Sequence, residues 1–148
     1  MIDIKKIEIF KMLPNDLEEI KQNLQTDFDD FWNFEIFKEE LVNNNSIYLV
    51  LKYENEIVAF GGIKIILDEA DIMNIVTKKD KRNLGFARLL LNELINLAKK
   101  KNCKTITLEE NNLPAIKLYK NFNFKEVGKR KNYYKNGDTA ILMTLELD

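Results

Sequence analysis

Lys78-Lys79-Asp80-Lys81-Arg82-Asn83-Leu84-Gly85-Phe86-Ala87-Arg88 lies between a β-rich run ending at Thr77 and a helical pattern continuing to Lys101. Five of these eleven residues are basic, in a chain whose net charge is -1. A glycine at a strand-to-helix turn lets successive backbone N–H groups approach an anion closely, and the helix start adds partial positive charge. A solvated basic loop with a helix-initiating glycine would have the same composition. The stretch alone therefore supports both a phosphate-binding turn and a plain connection.

Toward the C-terminus, Gly85 to Lys101 forms the clearest helix, with Leu90, Leu91, Leu94, Leu97 and Ala98 inward and Lys99-Lys100-Lys101 at the negative end of its dipole. Lys104 to Glu109 is a strand, and Asn112 caps a short helix through Phe122. Two last strands, about Lys125 to Tyr133 and Thr139 to Leu147, flank the turn signal Lys135-Asn136-Gly137-Asp138. Toward the N-terminus, Asp71 to Thr77 reads as a strand, and Ser46 to Tyr53 and Glu56 to Leu67 as a hairpin joined by Glu54-Asn55. Ile2 to Ile9 alternates as a first strand, and Pro14-Asn15-Asp16 starts a helix bearing Leu17, Ile20 and Leu24. The acidic, aromatic run Asp27 to Phe37 opens a second helix that ends near Asn43-Asn44-Asn45. With no repeat, low-complexity tract or linker, the pattern predicts one α+β domain over residues 1–148. Its sheet is mostly antiparallel, with β-α-β crossovers in the second half.

Composition narrows the chemistry. The chain has 148 residues, 45% hydrophobic and 32% charged, as in ordinary globular domains. Its balanced charge argues against a protein that coats nucleic acid, and runs such as Leu89-Leu90-Leu91 are too short to cross a bilayer. Cys103 is alone, so no internal disulfide forms and a reducing, cytoplasmic setting is expected. There is no histidine, which removes Ser–His and Cys–His nucleophile pairs and imidazole zinc sites. No metal is expected. Any general base must be a carboxylate, a lysine, a tyrosine or water.

A resemblance joins these pieces. Arg82-Asn83-Leu84-Gly85-Phe86-Ala87 is similar to the R/Q-x-x-G-x-G/A signature with which the GNAT family of acetyltransferases holds the pyrophosphate of acetyl-CoA. Asn112, 27 residues past Gly85, opens Asn112-Leu113-Pro114-Ala115-Ile116-Lys117-Leu118-Tyr119, which resembles the family's N-x-x-A-x-x-L-Y helix; Phe122-Asn123-Phe124 follows in place of its G-F step. Leu67-Asp68-Glu69-Ala70 with Asn74-Ile75, and Asn132-Tyr133-Tyr134 with Asp138-Thr139-Ala140, look like the RimI-like branch, which acetylates the N-terminal alanine of a ribosomal small-subunit protein. The likeness runs from about Leu67 to Leu145. Before residue 60 it is loose, apart from Phe31-Trp32 in place of a Pro-Trp of the substrate loop.

The resemblance implies a GNAT fold and direct transfer from acetyl-CoA to an amine. It implies that Ile75, Val76 and Thr77 hold pantetheine through backbone N–H groups, and that Arg82, Asn83, Leu84, Gly85, Phe86, Ala87 and Arg88 form the pyrophosphate turn. Asn112 is an N-cap, with or without a bond to the pantetheine arm. Tyr119 stands at the general-acid position, although helical spacing alone reads it as a core tyrosine beside Ala115 and Phe122. For the general base, strand register from Gly85 gives Glu109, whereas an ungapped count back from Tyr119 gives Thr107. Glu109 is favoured, because loops absorb deletions more easily than strands. The connection to Asn112 is then two residues shorter than the branch's own, and Glu110 is the weaker candidate because its strand parity is opposite. Trp32, Glu69, Tyr133, Tyr134 and Asp138 are the expected acceptor-site residues. The acceptor expected from the resemblance is the N-terminal alanine of a ribosomal small-subunit protein; the alternatives are an enzyme for a small amine (polyamine, amino acid or aminoglycoside) and a non-catalytic acyl-CoA-binding module.

Overall fold

A computed structural model describes residues 2–23 and 34–147. Along them run β1 (Ile7–Lys11), α1 (Pro14–Asn23), α2 (Phe34–Leu41), β2 (Ser46–Tyr53), β3 (Glu56–Ile66) and β4 (Glu69–Thr77). Then follow α3 (Phe86–Lys100), β5 (Thr105–Glu110), α4 (Leu113–Asn121), β6 (Lys125–Arg130) and β7 (Ala140–Glu146). All seven strands belong to one sheet, in the order β1-β2-β3-β4-β5-β7-β6. Among the described residues, only the β4–β5 pair is parallel, bridged by α3. A second crossover, β5-α4-β6, leaves room for β7 to insert between its strands. The expected α+β architecture is therefore the observed one.

Local chemistry accounts for most boundaries. Glu54 and Asn55 both take positive φ, 53° and 66°, the geometry of the tight turn that matches strand twist. Pro14 occupies the first helical position of α1, where its missing N–H costs nothing. Asp16 reaches back to accept the Leu13 N–H at 2.8 Å. Two core layers result. Leu90, Leu91, Leu94 and Ala98 of α3, all 0% exposed, pack on Leu51, Ala59, Ile63, Ala70 and Ile106 of the sheet. On the other side Leu17 and Ile20 of α1 pack on Tyr48, Val50, Ile57, Phe60 and Val76. Each buried leucine contributes about 1.5–3 kcal/mol of transfer free energy.

The structure corrects three expectations. Ile4–Lys6 form a single 3-10 turn rather than strand, because the Asp3 carboxylate accepts the Lys5 N–H at 3.0 Å and competes with sheet pairing. β3 and β4 meet through Leu67-Asp68, with Leu67 at φ 57°, so β4 starts two residues before Asp71. The last two strands close no tight hairpin: pairing stops at Arg130↔Ala140, and residues 131–139 form a loop. Asp138 builds that loop. Its carbonyl accepts from Tyr133 N and Tyr134 N, and its carboxylate from Asn136 Nδ2. Trp32, Phe31 and Leu24 lie outside the described residues.

One close approach locks the second layer. A Cβ on Gly62 would stand 2.6 Å from the ring of Tyr48, itself 2% exposed. Gly62→Ala should therefore cost about 1–3 kcal/mol, the range for overpacking a core. Chemical denaturation checks this; an unchanged midpoint would show that the ring yields freely.

Candidate active site

The sheet opens between β4 and β5. The two strands pair only at Glu69↔Thr105, Ala70↔Ile106 and Asp71↔Thr107. Beyond that, β4 keeps its ladder with β3 as far as Ala59↔Thr77, while β5 continues beside β7 as far as Glu110↔Ile141. The cause lies in the β3–β4 register: Gly62 faces Asn74 but Ile63 faces Ile72, so Met73 is an extra residue on β4. A bulge bends its strand and raises its twist, which carries the second half of β4 away from β5. Ile75 packs on the α3-side core and Val76 is buried on the opposite side. What these residues offer the opening is their backbone edge.

Past Thr77 the chain makes the basic turn. Arg82 Nε donates to the Thr77 carbonyl at 3.4 Å, which folds the arginine back over the strand end. Asn83 (φ 64°) and Gly85 (φ 93°) both take left-handed backbone, which asparagine tolerates and glycine adopts freely. Gly85 caps α3 without a side-chain hydrogen bond, so the first-turn N–H groups keep no capping partner from it. A Cβ built on Gly85 would meet nothing within 4 Å. The glycine is thus required by φ, and the space before it is open. Phe86 is buried against Tyr53, ring centroids 5.3 Å apart, and contributes only its backbone here. Leu84 is exposed, Ala87 half-buried, and the Arg88 guanidinium lies 5.3 Å above the Phe122 ring.

Two faces of β5 carry two groups of candidate residues. Ile106 and Leu108 are buried toward α3 and α4, and Glu110 shares their parity. There Tyr119, 4% exposed, sits against Phe124 with centroids 5.4 Å apart. Burial holds its phenol well above the ordinary range and the nearby Glu110 carboxylate raises it further, so Tyr119 stays protonated at any neutral pH. Burial also raises Glu110, against the backbone N–H groups of Asn112 and Asn111 that favour its ionised form. Asn112 is an N-cap, its side chain accepting from Ala115 N at 3.0 Å.

Thr105, Thr107 and Glu109 face the other way, half-buried. Thr107 donates its hydroxyl to Asp71. Glu109 lies 3.5 Å from the Arg130 guanidinium and accepts a hydrogen bond from the Tyr133 hydroxyl, which raises the Tyr133 pKa. Tyr134, pushed up to about 12, first by burial, feels Glu110, Tyr133, Glu109 and Asp138. The loop after β6 thus gathers Tyr133, Tyr134 and Asp138 around the end of β5. Asp138 is occupied there with Asn136 and with Asn111 Nδ2 at 3.1 Å, so it works as a loop anchor. Glu69 is not brought in. It pairs with Thr105, four residues below Glu109, about 13 Å away at 3.3 Å per residue. Asp71, Asn111 and Arg130 carry no site signal in the sequence, whereas Glu110 carries one in its shared parity with Ile106 and Leu108.

A split sheet beside a glycine-capped helix start finds its counterpart among known proteins. A sequence model of the Acetyltransferase (GNAT) family matches residues 15–124. The chain belongs to the GNAT acetyltransferase family. Members of the family use acetyl-CoA as co-substrate, and the open space before Gly85 fits an anionic group. A Bacillus subtilis (strain 168) protein, provisionally described as a [ribosomal protein bS18]-alanine N-acetyltransferase, is 31% identical over 147 residues, 97% of each chain. The Haemophilus ducreyi enzyme of that description is 36% identical over 119 residues, 74% of this chain and 82% of that one. The crystal structure of the Escherichia coli ribosomal-protein-alanine N-acetyltransferase superposes with a TM-score of 0.85 at 29% identity, covering 95% of this GNAT chain and 93% of that one.

Gly85→Ala separates the two demands at the turn. Left-handed backbone should cost the free protein about 1–2 kcal/mol. The methyl, projecting into open space, should also weaken acetyl-CoA binding on the order of tenfold, worth 1.4 kcal/mol. Thermal melting and calorimetric titration measure the two effects; unchanged affinity would remove the pyrophosphate from this turn.

Proposed function

We propose that this chain transfers the acetyl group of acetyl-CoA to the N-terminal alanine of a ribosomal small-subunit protein, bS18 or its counterpart. The observation that carries the reading is the end-to-end match, 97% of both chains, to a relative described by that reaction. The arrangement of the site supports it. Bound acetyl-CoA supplies an activated thioester carbonyl. Ile75 to Thr77 would hold its arm along the unpaired edge of β4, and residues 82–88 its pyrophosphate. Backbone donors fixed beforehand and aimed at the carbonyl would stabilise developing charge without reorganising.

The acceptor enters from the opposite side. Glu109, on the face of β5 away from Tyr119, is the proposed base. Its tie to Arg130 and Tyr133 keeps the carboxylate oriented while it accepts the amine proton, directly or through water. Tyr119 would give its phenolic proton to the departing sulfur. The preference for an α-amine follows from charge: its pKa near 7.7–8.0 leaves roughly a third neutral at pH 7.5, against about 0.1% for lysine. Tyr133 and Tyr134 would wall the peptide. Glu69 and Asp71, two residues apart on β4, would offer carboxylates to a basic residue further along the acceptor. An acceptor of this kind places the reaction in the cytoplasm.

Glu109→Gln and Tyr119→Phe should each lower kcat by about 10²–10⁴-fold, the range for a positioned base or acid, with acetyl-CoA affinity little changed. Thr107→Val is the comparison. Loss of turnover in Thr107→Val alone would move the base position two residues back along β5.

The acceptor is tested by mass spectrometry on peptides beginning with Ala, Ser or Met, beside spermidine and free lysine. Acetylation should appear first on the α-amine of the alanine peptide. Faster turnover on the small amines than on every peptide would make this a small-molecule acetyltransferase, and turnover of none would leave an acyl-CoA-binding module.

A further inference from the structure

We propose that Glu110 is a positioning residue that holds the entrance of α4 and, through it, sets Asn112 and Tyr119; this rests on reading Tyr119 as the proton donor. β5 ends at Glu110 and α4 begins at Leu113, so Asn111 and Asn112 alone make the turn. A helix start reached so abruptly leaves backbone N–H groups in need of acceptors. Two side chains meet that need in relay. Asn112 N donates to Glu110 Oε1 at 3.1 Å, and Asn112 Oδ1 accepts from Ala115 N at 3.0 Å. The strand's last side chain thus grips the cap, and the cap grips the helix. Asn111, between them, donates to Asp138 at 3.1 Å and ties the same turn to the loop after β6.

The carboxylate lies on the side of the sheet where its hold matters. Strand parity puts Glu110 with Ile106 and Leu108, toward α4, and its charge acts on Tyr119 and on Tyr134 of the loop. Tyr119 follows Asn112 by seven residues, about 10.5 Å along a rigid helix at 1.5 Å per residue. A tilt at the cap is therefore delivered to the phenol. The hold itself is a hydrogen bond to one side-chain oxygen, Glu110 Oε1, so an acceptor oxygen at that place is what it requires. Glutamine keeps that oxygen and alanine lacks it.

The test is a double-mutant cycle on kcat with acetyl-CoA and the alanine peptide, on full-length variants whose melting curves confirm folding. Glu110→Ala should lower kcat by about 10- to 100-fold, as misplacement of a reacting group does. Glu110→Gln should recover most of that loss. In a Tyr119→Phe background, Glu110→Ala should add little, because both changes remove the same proton transfer. Multiplying losses, a wild-type rate in Glu110→Ala, or a Gln variant as slow as the Ala variant would each overturn the positioning role and leave Tyr119 as donor. A Tyr119→Phe variant at the wild-type rate would instead overturn the donor, and this proposal with it.

Discussion

A backbone group in a sheet must pair with its neighbour or face something else that accepts it, and on β4 the change from one to the other falls at Met73. Up to Asp71 the strand pairs with β5; past the extra residue it pairs with β3 alone. That single insertion turns the middle of a continuous sheet into a cleft with polar backbone on its wall. Everything else in the site is arranged around it. The glycine-capped turn lies at the end of the freed strand, α4 carries Tyr119 on one side, and the end of β5 presents Glu109 on the other.

The cleft stays open because its surroundings are stiff. Leu90, Leu91 and Leu94 are wholly buried beneath β3 and β4, and the Tyr48 ring lies against Gly62 beside the bulge itself. Interiors packed this densely transmit strain instead of absorbing it. Closing β4 back onto β5 would require Met73, which packs against the α1-side core, to leave its place. The energy that holds the site apart is thus the ordinary burial energy of the fold.

Where a local pattern has one physical cause, the sequence was legible. Glu54-Asn55 announced a hairpin, Asn112 a cap, and the leucine spacing after Gly85 a helix, and each stands where its chemistry placed it. Thr105, Thr107 and Glu109 alternate along the sequence with Ile106 and Leu108, and they do share one face of β5. Side chains that fold back on their own backbone were harder to foresee. Asp3 makes a turn of an alternating run, and Asp138 stretches a predicted tight hairpin into a loop. The bulge left no mark in composition, since Met73 is as ordinary in a strand as Ile72 or Ile75. The opposite parity of Glu110 argues against it as the base, yet that parity is what turns it toward Tyr119.

On the proposed reading, the hydrogen bond from Asn111 to Asp138 joins two segments that would serve different substrates: the start of α4 on the coenzyme side, and the loop on the acceptor side. Such a bond is a thermodynamic strut. If coenzyme binding settles the helix entrance, the strut passes part of that order to the loop. Linkage then obliges the acceptor to return the favour in full, each ligand changing the other's affinity by the same factor. The strut is thus a short path by which this small fold can favour filling its two halves together.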